Sequence, residues 1–288
     1  MNIVEQVKQG KFVISAEIGP PKGVDVKEML ETAEMMRGRV DAINVTDQQS
    51  SAMRLGSLAT CRLLLERKLT PVFQITCRDR NRIALQSDLL SAYVLGVENV
   101  LCLTGDHVSL GDHPQAKPVF DLDSVSLLRA AKELEQGRDL AGKELAGSPR
   151  FCLGAVVSPG ADPVEPQILK MEKKVKAGAQ FFQTQAVYEP QKFEQFMKAI
   201  AHLNVPVLVG IVMLKSAGMA RFMNRNVAGV HVPDSLIEEM DKATDRAKKS
   251  VEISARLIKE MKPFCQGVHI MAIGWERKVT EVLDAAGL

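Results

Sequence analysis

Val100-Leu101-Cys102-Leu103 runs into Thr104-Gly105-Asp106, an apolar strand that ends on polar residues, and the same pattern recurs along the chain. Residues 12–16 lead to Glu17, 42–45 to Thr46, 72–75 to Thr76 and 181–184 to Gln185. Each strand is followed by a helix-length segment with apolar residues at 3.6-residue spacing. Short apolar strands alternating with helices indicate parallel strands buried on both faces. When such a sheet closes into a barrel, side chains at the carboxyl ends of its strands converge on one cavity. The pattern therefore predicts a fold and, with it, a set of residues sharing one site.

Eight such units can be counted. Strands are predicted at 12–17, 40–46, 71–76, 97–104, 151–157, 179–187, 206–212 and 267–273. Gly19-Pro20-Pro21 ends the first, because the two prolines forbid both helix and ladder. Val26, Met29, Leu30 and Ala33 mark one face of the helix that follows, and Gly38 closes it. Further helices are predicted at 51–67, 82–95, 123–135, 166–177, 191–202, 217–226 and 276–286. A long amphipathic stretch at 233–261 is an excess of helix after strand seven. The polar segment 137–150 reads as an excursion on the opposite face. A doubly wound open sheet seldom has eight units in strict succession, and no G-x-G-x-x-G follows the first strand. The expected architecture is α/β: a single (β/α)8 TIM barrel domain over residues 1–288, with an extra helix after strand seven.

The bulk numbers narrow the function classes. A formal charge of +2, from 37 basic and 35 acidic residues, argues against a dedicated nucleic-acid surface. No stretch approaches the ~18 uninterrupted apolar residues of a membrane span. Residues 1–11 are mixed polar and lack the apolar core of a signal peptide. Five scattered cysteines, an odd number, fit a reducing cytoplasm better than a disulfide framework. A cytoplasmic protein is expected.

Among the strand ends Glu17 stands out. A carboxyl group in a partly dry cavity is pushed toward its protonated form, as a general acid near neutral pH requires. The alternative is a structural carboxylate paired with lysine or arginine inside the barrel. Thr104-Gly105-Asp106 can bring bare backbone and a fixed charge to a flat ligand, or it can be a plain turn. Thr46, Thr76 and Gln185 add uncharged hydrogen-bonding groups, suited to a heteroaromatic edge but equally to strand-end caps. Metal sites are not expected: the five histidines lack H-E-x-x-H or H-x-x-E-H spacing, and no cysteines form C-x-x-C. His107 and His113 share a polar loop. Lys170, Lys173, Lys174 and Lys176 read as a solvated helix face, from which Lys174 could reach a phosphate. Met213, Met219 and Met223 read as core or cavity lining.

Taken in order, Ala16-Glu17-Ile18-Gly19-Pro20-Pro21, Asn44-Val45-Thr46, Gln74-Ile75-Thr76-Cys77, Leu103-Thr104-Gly105-Asp106, Lys174-Val175-Lys176-Ala177-Gly178-Ala179 and Gln183-Thr184-Gln185 resemble the methylenetetrahydrofolate reductases. The resemblance runs from about residue 11 to about 212 and more faintly beyond. It implies a flavin-containing (β/α)8 barrel of one-carbon metabolism and methionine biosynthesis. Such enzymes reduce 5,10-methylenetetrahydrofolate to 5-methyltetrahydrofolate by hydride transfer from reduced flavin. Carried over, Glu17 matches the general acid that opens the imidazolidine ring to an iminium ion. Asp106 matches the aspartate that contacts flavin and folate and stabilises that cation, and Gln185 matches the glutamine on the pterin edge. Thr46, Gln74, Thr104, Gly105, Asp121, Ser158 and Lys174 fall where the family holds its flavin, FAD or possibly FMN.

Some residues depart from the pattern. Many members carry histidine at Gln74, arginine at Thr104 and tyrosine at Ser158, and some place phenylalanine at Ala217. Arg277 stands near the folate tail, too loosely matched to assign. The resemblance implies a tetrahydrofolate substrate, electrons from NAD(P)H or from an iron–sulfur- and zinc-containing partner subunit, and an oligomer or heteromer. Two rivals stay open: a flavin-free pterin-binding barrel of methyltransferase type, and a folate-binding or electron-transfer scaffold subunit.

Overall fold

The structure, a computed structural model, describes all 288 residues. Its strands are β1 Val13–Ile18, β2 Ala42–Val45, β3 Pro71–Thr76, β4 Asn99–Leu103, β5 Cys152–Val157, β6 Phe181–Ala186, β7 Val207–Val212 and β8 Gly267–Met271. They pair in sequence order, all parallel, and β8 returns to β1 to close the barrel. Helices α1 Ile3–Lys8, α2 Lys27–Met35, α3 Ser57–Glu66, α4 Arg82–Val94, α5 Ser124–Glu135, α6 Glu165–Lys176 and α7 Pro190–Ala199 precede β7. After it come α8 Ala217–Asn226, α9 Asp234–Asp241 and α10 Arg246–Met261, and α11 Val279–Ala286 closes the chain. The expected (β/α)8 architecture is what the chain adopts, with helical excess after β7.

Alternation along the strands sorts the barrel into layers. At the amino ends, Val13, Ala42, Val72, Leu101, Cys152, Phe181 and Leu208 form a separate apolar cluster, plugged from below by Ile3 of α1. Two residues further on the interior turns polar, with Ser15, Asn44, Gln74, Gln183 and His269 all buried. The next inward positions, Glu17, Thr46, Thr76 and Gln185, stand at the mouth. Outward residues such as Ala16, Ile43, Phe73, Ile75, Leu153 and Val209 pack with the helices into a second, larger core. The core therefore lies mainly between sheet and helices, and the barrel axis becomes polar toward its carboxyl end.

Several elements differ from expectation. Helix α1 was not foreseen, although Asn2 and Glu5 form a reciprocal capping box at its start. The stretch 233–261 is two helices, because Asp245 accepts from the Lys248 amide and so caps α10 instead of continuing α9. Helix α3 begins at Ser57, not 51. The Gln48 amide bonds both backbone groups of Arg54 (2.7 and 3.1 Å), which removes their need for helical partners. Segment 137–150 leaves α5 and folds on itself through an Arg138–Glu144 bridge before β5. No helix is long and apolar enough to cross a membrane.

Candidate active site

A cavity of about 370 Å³ opens at the carboxyl ends of the strands, and its lining includes Glu17, Thr46, Gln74, Thr104, Gly105, Asp106, Ser158, Lys174 and Gln185. Closure of the barrel brings these together from β1 to β6. A larger hollow, about 820 Å³, lies at the other end among α1, α7 and Phe264. It is mainly apolar and shares no residue with the strand carboxyl ends.

Glu17 sits between two amides. Gln74 Nε2 donates to Oε1 at 3.0 Å and Gln49 Nε2 to Oε2 at 3.4 Å. Its side chain is 12 % exposed, and the basic group nearest it is His269 Nε2 at 3.8 Å. The lysine or arginine pairing considered for it from sequence is not what the barrel contains. Below, His269 Nδ1 lies 3.0 Å from Ser15 Oγ, and Gln183 bridges Ser15 at 3.3 Å and Asn44 at 2.8 and 3.1 Å. This buried layer is satisfied internally, so it gives Glu17 a rigid floor.

The other groups divide by how far the protein already uses them. Thr46 Oγ1 is buried with no hydrogen-bond partner, a polar atom left for something in the cavity. Gly105 has φ +93° and approaches so closely that a Cβ there would lie 3.1 Å from Arg78 Cβ. The Asp106 carbonyl accepts from Arg78 Nη1 at 3.5 Å, which leaves its exposed carboxylate to the cavity. Gln185 is likewise exposed at the mouth. By contrast, Thr76 Oγ1 donates to Asp47 at 2.9 Å and Thr104 Oγ1 accepts from the Ser124 amide at 3.1 Å. Gln74 is turned to Glu17. These groups serve the protein first.

Lys174 is buried while Lys170, Lys173 and Lys176 are exposed. Its Nζ donates to the Val156 carbonyl at 2.6 Å. Burial pushes its pKa down to about 8; neighbouring Lys170 adds to the fall, and Asp123 and Cys102 oppose it. Lys170 also lines the cavity, so this wall is cationic and suits an anion such as a phosphate.

Asp121 is not brought to the cavity. Arg82 holds it through Nε and Nη2, both at 2.9 Å, and through its backbone amide at 2.8 Å. Those bonds keep its carboxyl down at about 2. Asp121, which the resemblance gives to flavin, is thus paired with Arg82 in this structure. Arg277 is also elsewhere, 4.0 Å from Glu31 on the surface. Met213, Met219 and Met223 belong to the core, and His107 stacks on Phe120 while His113 pairs with Asp112. No group of three or more His, Cys, Asp or Glu is assembled to hold a metal ion.

Sequence reasoning missed the layer that shapes the mouth. Asp47 is fully buried and accepts from the Thr76 amide (2.9 Å), Arg80 Nη1 (2.7 Å) and Arg80 Nη2 (3.1 Å). Arg78 is buried as well, forked onto Asp79 and donating to the Gln48 carbonyl at 3.2 Å. Between them they fix the loop after β2, where Gln48, Ser50 and Ser51 all have positive φ. Such non-glycine strain persists only where the surroundings enforce it, and it clusters at functional sites. The signal was available: Asp47 directly follows Thr46, and Arg78-Asp79-Arg80 is a charge run at a strand end.

The family model for methylenetetrahydrofolate reductase matches residues 2–287. Methylenetetrahydrofolate reductase 2 of Schizosaccharomyces pombe is 25 % identical over 316 residues, covering 100 % of this chain and 47 % of the relative. A probable methylenetetrahydrofolate reductase (NADPH) of Caenorhabditis elegans is 21 % identical, covering 75 % of this chain and 32 % of that protein. The chain spans about half the length, or less, of the curated relatives it matches. Among solved structures, a Clostridium thermocellum protein that binds two copies of 5-methyl-5,6,7,8-tetrahydrofolic acid superposes with TM-score 0.69 at 18 % identity, covering 98 % of each chain. A 2,3-dimethylmalate lyase superposes at TM-score 0.53 and 13 % identity, covering 99 % of this chain and 87 % of the lyase, a likeness of fold alone. With the family model matched from one end to the other, the chain belongs to the methylenetetrahydrofolate reductase family.

Proposed function

We propose that this chain reduces 5,10-methylenetetrahydrofolate to 5-methyltetrahydrofolate with a bound flavin, in a single barrel domain. One observation carries the reading: Glu17, Asp106, Gln185 and the unpartnered Thr46 hydroxyl border the same cavity. The residues present fit a flavin. Thr46 offers an unused hydroxyl, and Lys174 with Lys170 a cationic end for phosphate. The flavin, when bound, supplies the hydride.

The chain's own part is to hold the pterin and manage charge. Gln185 hydrogen-bonds the pterin edge, and Glu17 delivers a proton to the ring nitrogen that leaves when the imidazolidine opens. Ring opening creates a cationic iminium, and the Asp106 carboxylate offsets it. The two amides on Glu17 keep its carboxyl aimed at the cavity. FAD and FMN both remain within this proposal, as do NAD(P)H and a partner subunit as electron donor. The five unpaired cysteines support a reducing compartment.

A second reading is a flavin-free pterin-binding barrel. Thr104 and Gln74, whose polar groups are already bonded within the protein, favour it. Anaerobic reduction followed by methylenetetrahydrofolate decides between them. Recovery of the oxidised flavin spectrum supports reductase; a colourless protein that takes up no added flavin overturns it.

A further inference from the structure

We propose that the hollow at the amino end of the barrel is a second ligand site, which takes an amphiphilic anion: a single carboxylate on an apolar body. The proposal is independent of the folate reading, because this hollow lies at the opposite end of the strands and shares no lining residue with the cavity around Glu17. At about 820 Å³ it has the volume of a small-molecule site. The reaction proposed above makes no use of it.

Three adjacent strands and one short helix build it. Gln180, Pro206 and Gln266 directly precede β6, β7 and β8, and all three line the hollow. Helix α1 supplies a wall: its Ile3 plugs the barrel, while Val4 and Val7 face the hollow's lining. Met197 of α7, Val205 and Phe264 add further apolar surface. These side chains are only half-buried, so an apolar ligand seated among them removes surface that the chain leaves to water.

Two glutamines set its polarity. Gln180 Oε1 accepts from the Leu153 amide of β5 at 2.9 Å, and Gln266 Oε1 accepts from the Val207 amide of β7 at 3.0 Å. Each carbonyl is committed to a neighbouring strand, which leaves each NH2 group as a donor with no partner in the protein. The backbone withholds its acceptors: the Pro206 and Gln266 carbonyls bond Phe182 and Val13, and those of Ile200 and Ala201 bond Leu203 and Asn204. The Asn204 side chain adds an amide with both a donor and an acceptor. Charge points the same way. Glu194 is neutralised by Lys198 at 2.7 Å, whereas Lys8 lines the hollow without an ion pair. Fixed amide donors and a free cation beside apolar walls match a carboxylate head on an apolar body, and they disfavour a cation of the same shape.

Calorimetric titration of the purified full chain with decanoate, decylamine and acetate tests this, below the concentrations at which the amphiphiles form micelles. Decanoate should bind. Decylamine, which has the wrong charge, and acetate, which has no apolar body, should each bind about tenfold or more weakly than decanoate. Gln266→Glu keeps an oxygen for the Val207 amide and replaces the donor with a negative charge, so it should weaken decanoate about tenfold or more. Lys8→Glu, on an exposed turn, should weaken it to a similar degree, and Met197→Glu should abolish binding. Unchanged decanoate affinity in both charge variants would place the anion elsewhere and overturn the proposal. Decylamine that binds as tightly as decanoate, or decanoate that does not bind at all, would overturn it as well. A dimer in sedimentation velocity that Met197→Glu splits would give the hollow to a second copy of the chain, and the ligand site would fall. None of these readouts involves flavin or folate, so each outcome leaves the reductase reading untouched.

Discussion

Gln74 on β3 donates its amide to Glu17 on β1 at 3.0 Å, reaching across the mouth of the barrel past the intervening strand β2. Gln49 bonds the other carboxylate oxygen from the loop after β2. Three consecutive units thus converge on one acid, and the acid lines the cavity at the strand ends. Removing the carboxyl while keeping its shape is therefore the direct test of its role. Glu17→Gln should slow reoxidation of reduced flavin by methylenetetrahydrofolate by about 10²–10⁴-fold, with flavin content unchanged. Stopped-flow absorbance measures this, and a rate equal to that of the parent chain removes Glu17 as the proton donor.

Asp47 is a buried carboxylate whose partners are the Thr76 backbone and hydroxyl and the Arg80 fork. Asp47→Ala strips Arg80 of its main counter-charge inside the protein. Breaking such a pair costs about 3–5 kcal/mol. Urea denaturation should show a loss of that order, and a midpoint within error of the parent would mean that Arg80 finds Asp88 or water sufficient.

Lys174 makes stability depend on alkaline pH. Its pKa is about 8 in the folded chain against 10.5 for the ordinary side chain. Below pH 8 both folded and unfolded chains hold the proton, and the folded state bears the burial cost in full. From about 8 to 10.5 the folded chain sheds the proton first, so the unfolded chain binds more protons and stability rises with pH. Lys174→Met should abolish that rise and add a few kcal/mol at pH 7, on the order of the shift converted at ~1.4 kcal/mol per pH unit. Melting curves across this window measure it. An unchanged slope in the variant sinks the argument.

The same lysine predicts proton uptake by ligands. A phosphate beside Lys174 favours the ammonium form, so phosphate-bearing flavin should bind near pH 8 with net proton uptake. Calorimetry in two buffers of different ionisation enthalpy reads the proton count directly. Identical apparent enthalpies would exclude Lys174 from the phosphate contact.

Gly111 locks the loop after β4 against the loop after β2, since a Cβ there would lie 1.9 Å from the Ser51 carbonyl oxygen. Asp112 completes the join by accepting from the Met53 amide at 3.0 Å and pairing with Lys22. Gly111→Ala must displace one loop and should cost about 1–3 kcal/mol, as overpacking does. It should also weaken folate binding, because the displaced loop carries Gln49. Full stability with normal affinity would show that the join has slack.

The amino-acid sequence by itself determined the architecture, because period-2 and period-3.6 patterns are local properties and eight of them in succession leave few closed sheets. It also placed Glu17, Thr46, Asp106 and Gln185 at the mouth, since a position at a strand's carboxyl end is set by the strand itself. Pairings across the barrel were decided only in three dimensions. Thr76 and Thr104 were spent on protein partners, Asp121 went to Arg82, and Arg78 and Asp47 became the buried frame of the site. Strand ends advertise a side chain's depth, whereas its hydrogen-bond partner comes from another element, often dozens of residues away. That choice depends on register, loop strain and which charges must be neutralised once water has been excluded.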